Sequence, residues 1–209
     1  DTKITGGGNL ILGSESFKNA ELKGNTGDGS SITYELTGGA TMANTNSNRY
    51  FRWTTVGAYV AKGVTLCLSV MYKPVSGADE FCMEIAYTAG YSTSQSWATI
   101  KPTDQLEIEQ TDGWVLRYGL WTPPDNATLK LVDMGSGTTH AGTGNYTNKF
   151  SLLHPMLQYG NAPTAWNASS GDYLTQESAK SLFSQTADEI KTEVTKSVTE
   201  TVTANVKDT

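Results

Sequence analysis

The chain lacks the means to hold a polyanion. Its 15 Lys and Arg are outnumbered by 21 Asp and Glu, giving a net charge of −6, and no stretch gathers the cations. Phosphate backbones are bound by clustered Lys and Arg, so nucleic acid is not an expected partner. Long hydrophobic runs are also missing. None approaches the ~20 residues of a bilayer span, so no membrane contact is expected, and no leader pattern opens the chain. Only two cysteines, Cys67 and Cys82, and two histidines, His140 and His154, are present. They lack ligand spacing, which argues against a metal site. No cofactor motif stands out. The Gly-rich "GSGTTHAGTG" lacks the Lys of a phosphate loop and a following helix.

What is there points to strands. With 17% charged residues and 21 Gly in 209 positions, the composition fits an all-β domain with many turns. "VTLCLSVMY" (64–72) puts Val64, Leu66, Leu68, Val70 and Tyr72 on one face. "FCMEIAY" (81–87) sets Phe81, Met83, Ile85 and Tyr87 against Cys82, Glu84 and Ala86. "WVLRYGLW" (114–121) sets Trp114, Leu116, Tyr118 and Leu120 against Val115, Arg117, Gly119 and Trp121. "ATLKLVD" (127–133) opposes Leu129 and Leu131 to Lys130 and Val132. Such period-two alternation marks half-buried antiparallel strands. With further runs at 9–12, 32–36, 50–56, 97–100, 105–109 and 149–157, roughly nine or ten short strands imply a β-sandwich. If "KPVSGADE" closes a hairpin, Cys67 lies opposite Ala86 and Cys82 opposite Met71, too far apart for a disulfide. Trp53, Trp114 and Trp166 read as core, Trp166 closing the sandwich edge.

The periodicity changes near residue 175. Leu182, Ala187, Ile190, Val194, Val198, Val202 and Val206 recur three to five apart, close to a helical stripe. Thr175 and Ser178 are candidate caps. A lone stripe must bury itself against copies of itself, as in a coiled coil. The Val- and Thr-rich end is poor helix-forming sequence, which leaves an intertwined β stem as the alternative. The expected organisation is a sandwich over 1–168, a linker over 169–174 and an oligomerising stem over 175–209.

Enzymatic groups are sparse. Glycan hydrolysis needs two facing carboxylates about 5–10 Å apart. Glu84 stands alone mid-strand, and Glu107 with Glu109 reads as a solvated strand face. His140 falls in a loop, His154 precedes a proline in the last strand, and neither has a nucleophile beside it. The chain is not expected to be an enzyme.

"GGGNLILGSESFKN", "VTLCLSVMYKP", "TDGWVLRYGLWTPPDNATLKLVDM" and "LLHPMLQYGNAPTAWNAS", in that order, resemble the carbohydrate-binding modules of bacteriophage and prophage tail or baseplate proteins. These are jelly-roll sandwiches similar to family 4, 9 and 22 modules, with an N-L-L-x-N-S opening and a closing L-E-x-G-x-x-A-T-x-W. Here the closing runs from Leu157 to Trp166, with Gln158 replacing the usual Glu. "SQTADEIKTEV" resembles the helical connector that follows such modules. The resemblance implies a jelly-roll β-sandwich with a C-terminal helical stem. It also implies a virion tail location, a homotrimer and a bacterial cell-surface polysaccharide as partner. Many such modules hold a structural Ca²⁺ through an acidic residue near the last strand, where this chain has His154 and Pro155.

Aromatic side chains stack on the C–H faces of sugars and planar polar groups bond the hydroxyls. With Leu68, Ile85, Leu116 and Leu120 inward, Ser69, Glu84, Arg117 and Trp121 point outward, and Gly119 leaves a hollow between Arg117 and Trp121. The polar loop 87–100 adds Tyr91, Gln95 and Trp97. These seven are the candidate ligand-binding residues. The alternative is a structural spacer that binds no sugar.

Overall fold

The computed structural model describes residues 8–25, 29–137 and 145–169. The chain divides into two units, Asp1–Ser170 and Gly171–Thr209. The expected helical stem, and the His140 loop, lie outside the described residues.

The described part is all-β, with three short 3-10 turns besides the strands. In chain order the strands are β1 (Glu21–Asn25), β2 (Ser31–Tyr34), β3 (Ala40–Thr54), β4 (Tyr59–Val60), β5 (Leu66–Gly77), β6 (Phe81–Ala89), β7 (Gln95–Ile100), β8 (Leu106–Glu109), β9 (Val115–Trp121), β10 (Ala127–Ser136) and β11 (Tyr146–Tyr159). They curl into a jelly-roll-like sandwich. One sheet runs β7-β6-β10-β3-β1, with β4 against β10; the other runs β2-β3-β11-β5-β9-β8. Every pairing between these strands is antiparallel.

Strand β3 belongs to both sheets. Its residues 40–47 pair with β2 and β11, and residues 48–54 with β1 and β10. The corner is made where Asn46 takes φ +45° and the β11 register shifts between Tyr146 and Asn148. Asn tolerates the left-handed region, and a bulge bends the strand it interrupts.

The core lies between the sheets. From the first come Phe51, Trp53, Phe81, Met83, Ile85, Leu129, Val132 and Met134; from the second, Met42, Leu66, Leu68, Val70, Tyr72, Phe150, Leu152 and Leu157. Rings meet across the gap. Phe81 lies 5.0 Å from Tyr72 and 5.6 Å from Phe150, centroid to centroid. The alternation in 64–72 and 81–87 is therefore as the sequence predicts.

Three expectations need correction. First, β5 and β6 do not form a hairpin. β5 pairs with β9 and β11 in one sheet, β6 with β7 and β10 in the other, so 78–80 crosses between sheets. Cys67 and Cys82 point to opposite outer faces and both are free. The sandwich between them, not a hairpin register, separates the thiols. Second, β10 has a register shift between Leu129 and Leu131. Leu129 and Val132 both enter the core while Leu131 turns out, because a bulge reverses the alternation beyond it. Third, β9 faces the other way. Val115, Arg117, Gly119 and Trp121 stand opposite Tyr72, Val70, Leu68 and Leu66, all core residues. Leu116 and Leu120 are on the outside, Leu120 with 41% exposure.

Candidate functional site

The reversal of β9 removes two residues from the expected site. The Arg117 guanidinium is buried between the sheets, with its carbon 4.0 Å from the Tyr72 ring centre. It donates to both Asp79 carboxylate oxygens at 2.8 Å and also to Glu107. Burial works against its charge, but Asp79 and Glu107 outweigh this and hold its pKa above the ordinary value. Glu107 is thus an ion-pair partner rather than a purely solvated acid. Trp121 packs on the core, its ring 4.6 Å from Tyr87. The expected hollow at Gly119 is filled, since a Cβ there would meet the Ile100 side chain.

Ser69 is buried on the outer side of the second sheet. The segment after β11 crosses nearby. Gln158 donates to the Ala162 carbonyl at 2.7 Å and accepts from Thr164 at 2.7 Å. Trp166 does not enter the core. It stacks on His154 at 4.5 Å and donates to the Pro155 carbonyl at 3.1 Å. A cavity of about 160 Å³ beside it is lined by Ser69, Met71, Leu116, His154 and Trp166 among others. Trp114 also lies outside the core cluster, beneath Lys73 at 6.0 Å. The calcium position suggested by the resemblance does not fit these residues. The Pro155 carbonyl is taken by the Asn9 amide and the Trp166 indole, and among the described residues no group of three or more His, Cys, Asp or Glu could hold a metal ion.

The remaining four expected residues belong to the first sheet. Glu84 on β6 and Trp97 and Gln95 on β7 point to its outer face, and Tyr91, fully exposed, sits on the β6–β7 turn. The sequence "NRYFRWT" in β3 sends Phe51 and Trp53 inward and Tyr50 and Arg52 outward. Across the strands, Glu21, Arg52, Asp133, Glu84 and Thr99 form one row of directly opposed positions. Arg52 grips Asp133 with two hydrogen bonds of 2.8 and 2.7 Å, the strong fork-to-carboxylate geometry. That bond raises the Arg52 pKa despite partial burial. Thr99 donates to Glu84 at 3.0 Å.

Aromatic rings flank the row. The Arg52 guanidinium carbon is 5.2 Å from the Trp97 ring centre and 5.5 Å from that of Tyr50. Trp97 and Arg52 stand on strands three spacings apart, about 14 Å along a flat sheet. The curl of the sheet and the lean of both side chains close that gap and bring them over Asp133 and Glu84. This accounts for two adjacent carboxylates, both with 0% exposure, on the outside of a sheet. They are not a hydrolytic pair, because neither faces solvent and both Asp133 oxygens are held by Arg52. The outermost polar and aromatic surface here is Trp97, the edge of Arg52, Gln95 and Tyr91.

Sequence reasoning missed Arg52, Tyr50, Asp133 and Thr99. The alternation of 50–54 carried the signal for the first two. Asp133 was masked by the β10 bulge, which shifts the phase just before it.

No family model matches the chain, and neither does any curated protein. Solved structures do. Tailspike protein 4 of bacteriophage CBA120, in its enzymatically active domain, is 11% identical with a TM-score of 0.42. The match covers 71% of this chain and 20% of that one. The CBM22-1–GH10 modules of Clostridium thermocellum endo-1,4-beta-D-xylanase 10B, complexed with xylohexaose, are 15% identical with a TM-score of 0.42, over 77% of this chain and 30% of that one. A family 16 carbohydrate-binding module is 15% identical with a TM-score of 0.40, over 71% of this chain and 99% of that one. This chain therefore spans less than a third of the first two proteins, and what it is similar to is carbohydrate-binding modules and phage tail proteins.

Proposed function

We propose that the chain is a non-catalytic glycan-binding module and that the outer face of the first sheet takes the sugar. The observation that carries this reading is the Trp97–Arg52–Tyr50 cluster, with Arg52 locked by Asp133. A fixed indole offers a stacking surface, and a guanidinium already held in place loses little freedom on bonding a hydroxyl. Gln95 and Tyr91 extend the surface toward the β6–β7 turn. The partner in this reading is a bacterial cell-surface polysaccharide, met by a phage tail protein. Trimerisation through residues 175–209 would raise a weak single-site affinity by presenting several copies at once.

The test is titration calorimetry of the full chain against glycans first selected on an array. Trp97→Ala is expected to weaken binding about tenfold, the order of one lost aromatic contact, in a chain that stays folded at the titration temperature. Trp121→Ala is expected to lower the melting temperature because it opens the core. The reading fails if the native chain binds no glycan, or if Trp97→Ala binds as well as the native chain.

One observation favours a spacer instead. Leu106, Ile108 and Leu120 lie close together on the outer side of the second sheet with 52%, 43% and 41% exposure. In that reading copies pack through this patch. Light scattering would then show that Ile108→Lys reduces the assembly state.

A further inference from the structure

A row of polar side chains crosses the outer face of the second sheet. Thr33, Thr41, Ser151 and Lys73 stand directly opposite one another on β2, β3, β11 and β5. The chain neighbours Ala40, Met42, Leu152 and Tyr72 belong to the core, so the row faces out. Its hydroxyls form a directed chain. Thr41 donates to Glu35 at 3.4 Å, and its oxygen lies 2.7 Å from that of Ser151. A hydroxyl has one proton to give, so Ser151 is the donor in the second bond. The β2–β3 turn holds Glu35 at the end of this chain. The Glu35 N–H donates to the Gly39 carbonyl at 2.9 Å, and the Gly38 N–H donates back to the Glu35 carbonyl at 3.1 Å. A Cβ on Gly39 would lie 2.8 Å from the Leu152 carbonyl oxygen, so the turn sits tightly against β11.

Glu35, Thr41, Ser151, Leu153 and Trp114 line a cavity of about 210 Å³ on this face. Trp114 precedes β9, the neighbour of β5, and reaches past Lys73 to Ser151 on β11. The Lys73 ammonium lies 6.0 Å from the Trp114 ring centre. The cavity thus has an indole at one side, a carboxylate at the other and two hydroxyls between them. An indole accepts the C–H face of a sugar, and the carboxylate and hydroxyls suit its rim of hydroxyls. Glu35 forms no ion pair among the described residues. One carboxylate and one ammonium border the space, which favours a ligand without net charge. The volume is below the ~300–1,000 Å³ of pockets for drug-sized ligands, so it suits one ring and not a longer chain.

We propose that the cavity between Trp114 and Glu35, on the outer face of the second sheet, binds one uncharged sugar ring. Trp114 stacks on the ring, and Glu35, Thr41 and Ser151 bond its hydroxyls. The inference rests on the glycan-binding reading for the class of ligand, and adds to it a second site on the other sheet from the Trp97–Arg52 face.

The experiment is NMR of the tryptophan indole N–H signals of the full chain. It is titrated with the methyl glycosides of glucose, galactose, mannose and N-acetylglucosamine, and with glucuronate as the anionic control. Trp114→Phe and Trp97→Phe each remove one signal and so assign both. At least one neutral glycoside is expected to shift the Trp114 signal saturably, with a Kd of about millimolar, the order a ligand of one ring can reach. Glucuronate is expected to shift it less. Glu35→Ala, on an exposed turn, is expected to raise that Kd about tenfold through the lost hydrogen bond to a charged group. Ser151→Leu fills the floor and is expected to abolish the shift; should it not fold, Glu35→Ala alone decides. A saturable Trp114 shift that weakens in these variants supports the site, whether or not the Trp97 signal moves. A shift of Trp97 alone leaves the first-sheet reading standing and overturns this one. So does a Trp114 shift that Glu35→Ala leaves unchanged, a glucuronate response equal to that of the best neutral glycoside, or no shift of Trp114 with any of them.

Discussion

At the scale of single residues, surroundings decide what a side chain does. Arg52, Arg117 and Arg49 are the same residue type on two strands. One is exposed at its edge beside Trp97, one is an internal clamp, and one has no ion-pair partner among the described residues. Composition could not separate them, because the deciding carboxylates, Asp133 and Asp79, are distant in sequence. The indoles behave likewise. Trp53 is core, as expected from its alternation, while Trp166 and Trp114 lie outside it. The Trp166–His154 stack has a consequence for pH. Burial lowers the His154 pKa from its ordinary 6.5. The unfolded chain then takes up the proton more readily than the folded one. The stabilisation is complete above about pH 6.5 and is lost as pH falls below it toward the folded value. His154→Asn removes the titration and suits the left-handed backbone at φ +58°, a region Asn enters easily. Urea midpoints from about pH 7.5 down to about pH 5 should fall more steeply for the native chain than for this variant. Parallel curves would show that His154 titrates normally.

At the scale of elements, the sequence was legible wherever one face alone was apolar. β5 and β6 alternate cleanly and their inward sets are as read. Their pairing was not legible, because adjacency in sequence suggests a hairpin while the sandwich uses 78–80 to change sheets. In β9 both faces carry large apolar residues, so alternation could not choose between them. The ladder with β5 decides it, and tertiary pairing overrides the local pattern. The same ladder explains why Arg117 is tolerated inside, since Asp79 and Glu107 stand within reach of its fork. This facing has a sharp test. Gly119→Ala drives a methyl into the β-branched Ile100, which has little rotamer freedom to yield. A loss of about 1–3 kcal/mol is expected. Leu120→Ala, on the outer side, should cost about 0.5 kcal/mol or less. Chemical denaturation of both variants would show the opposite order if Leu120 were inside and Gly119 outside.

For the sandwich as a whole, closure depends on contacts between the two ends of the domain. Asn9 lies at one end of the described chain and is 1% exposed. Its Nδ2 donates to the Ser14 hydroxyl and the carbonyls of Pro155 and Asn167, at 2.9, 2.9 and 3.1 Å. Its Oδ1 accepts from the backbone of Ile11 and Leu157, both at 3.1 Å. Its own N–H reaches the Asn167 side chain, and a parallel bridge joins it to Ser169. The opening and closing motifs that marked the resemblance in sequence are thus joined through one amide. Sequence showed both motifs but not that they touch, because contacts 146 to 158 residues apart leave no local periodicity. An amide offers donors and an acceptor from one planar group, so neither a carboxylate nor an apolar side chain can replace it here. Asn9→Ala would strand several buried donors and acceptors at once, each costing about 1–3 kcal/mol when left unpaired, less what water recovers. A net loss of about 3 kcal/mol is expected, or about 6–12 °C in melting temperature for a domain of this size. Asn9→Asp keeps the acceptor but sets a buried negative charge against the two carbonyls, so it should be no better tolerated. Calorimetric melting of the three proteins checks this. If Asn9→Ala melts within a degree or two of the native chain, the ends are held by the strand ladders alone, and Asn9 is incidental to closure.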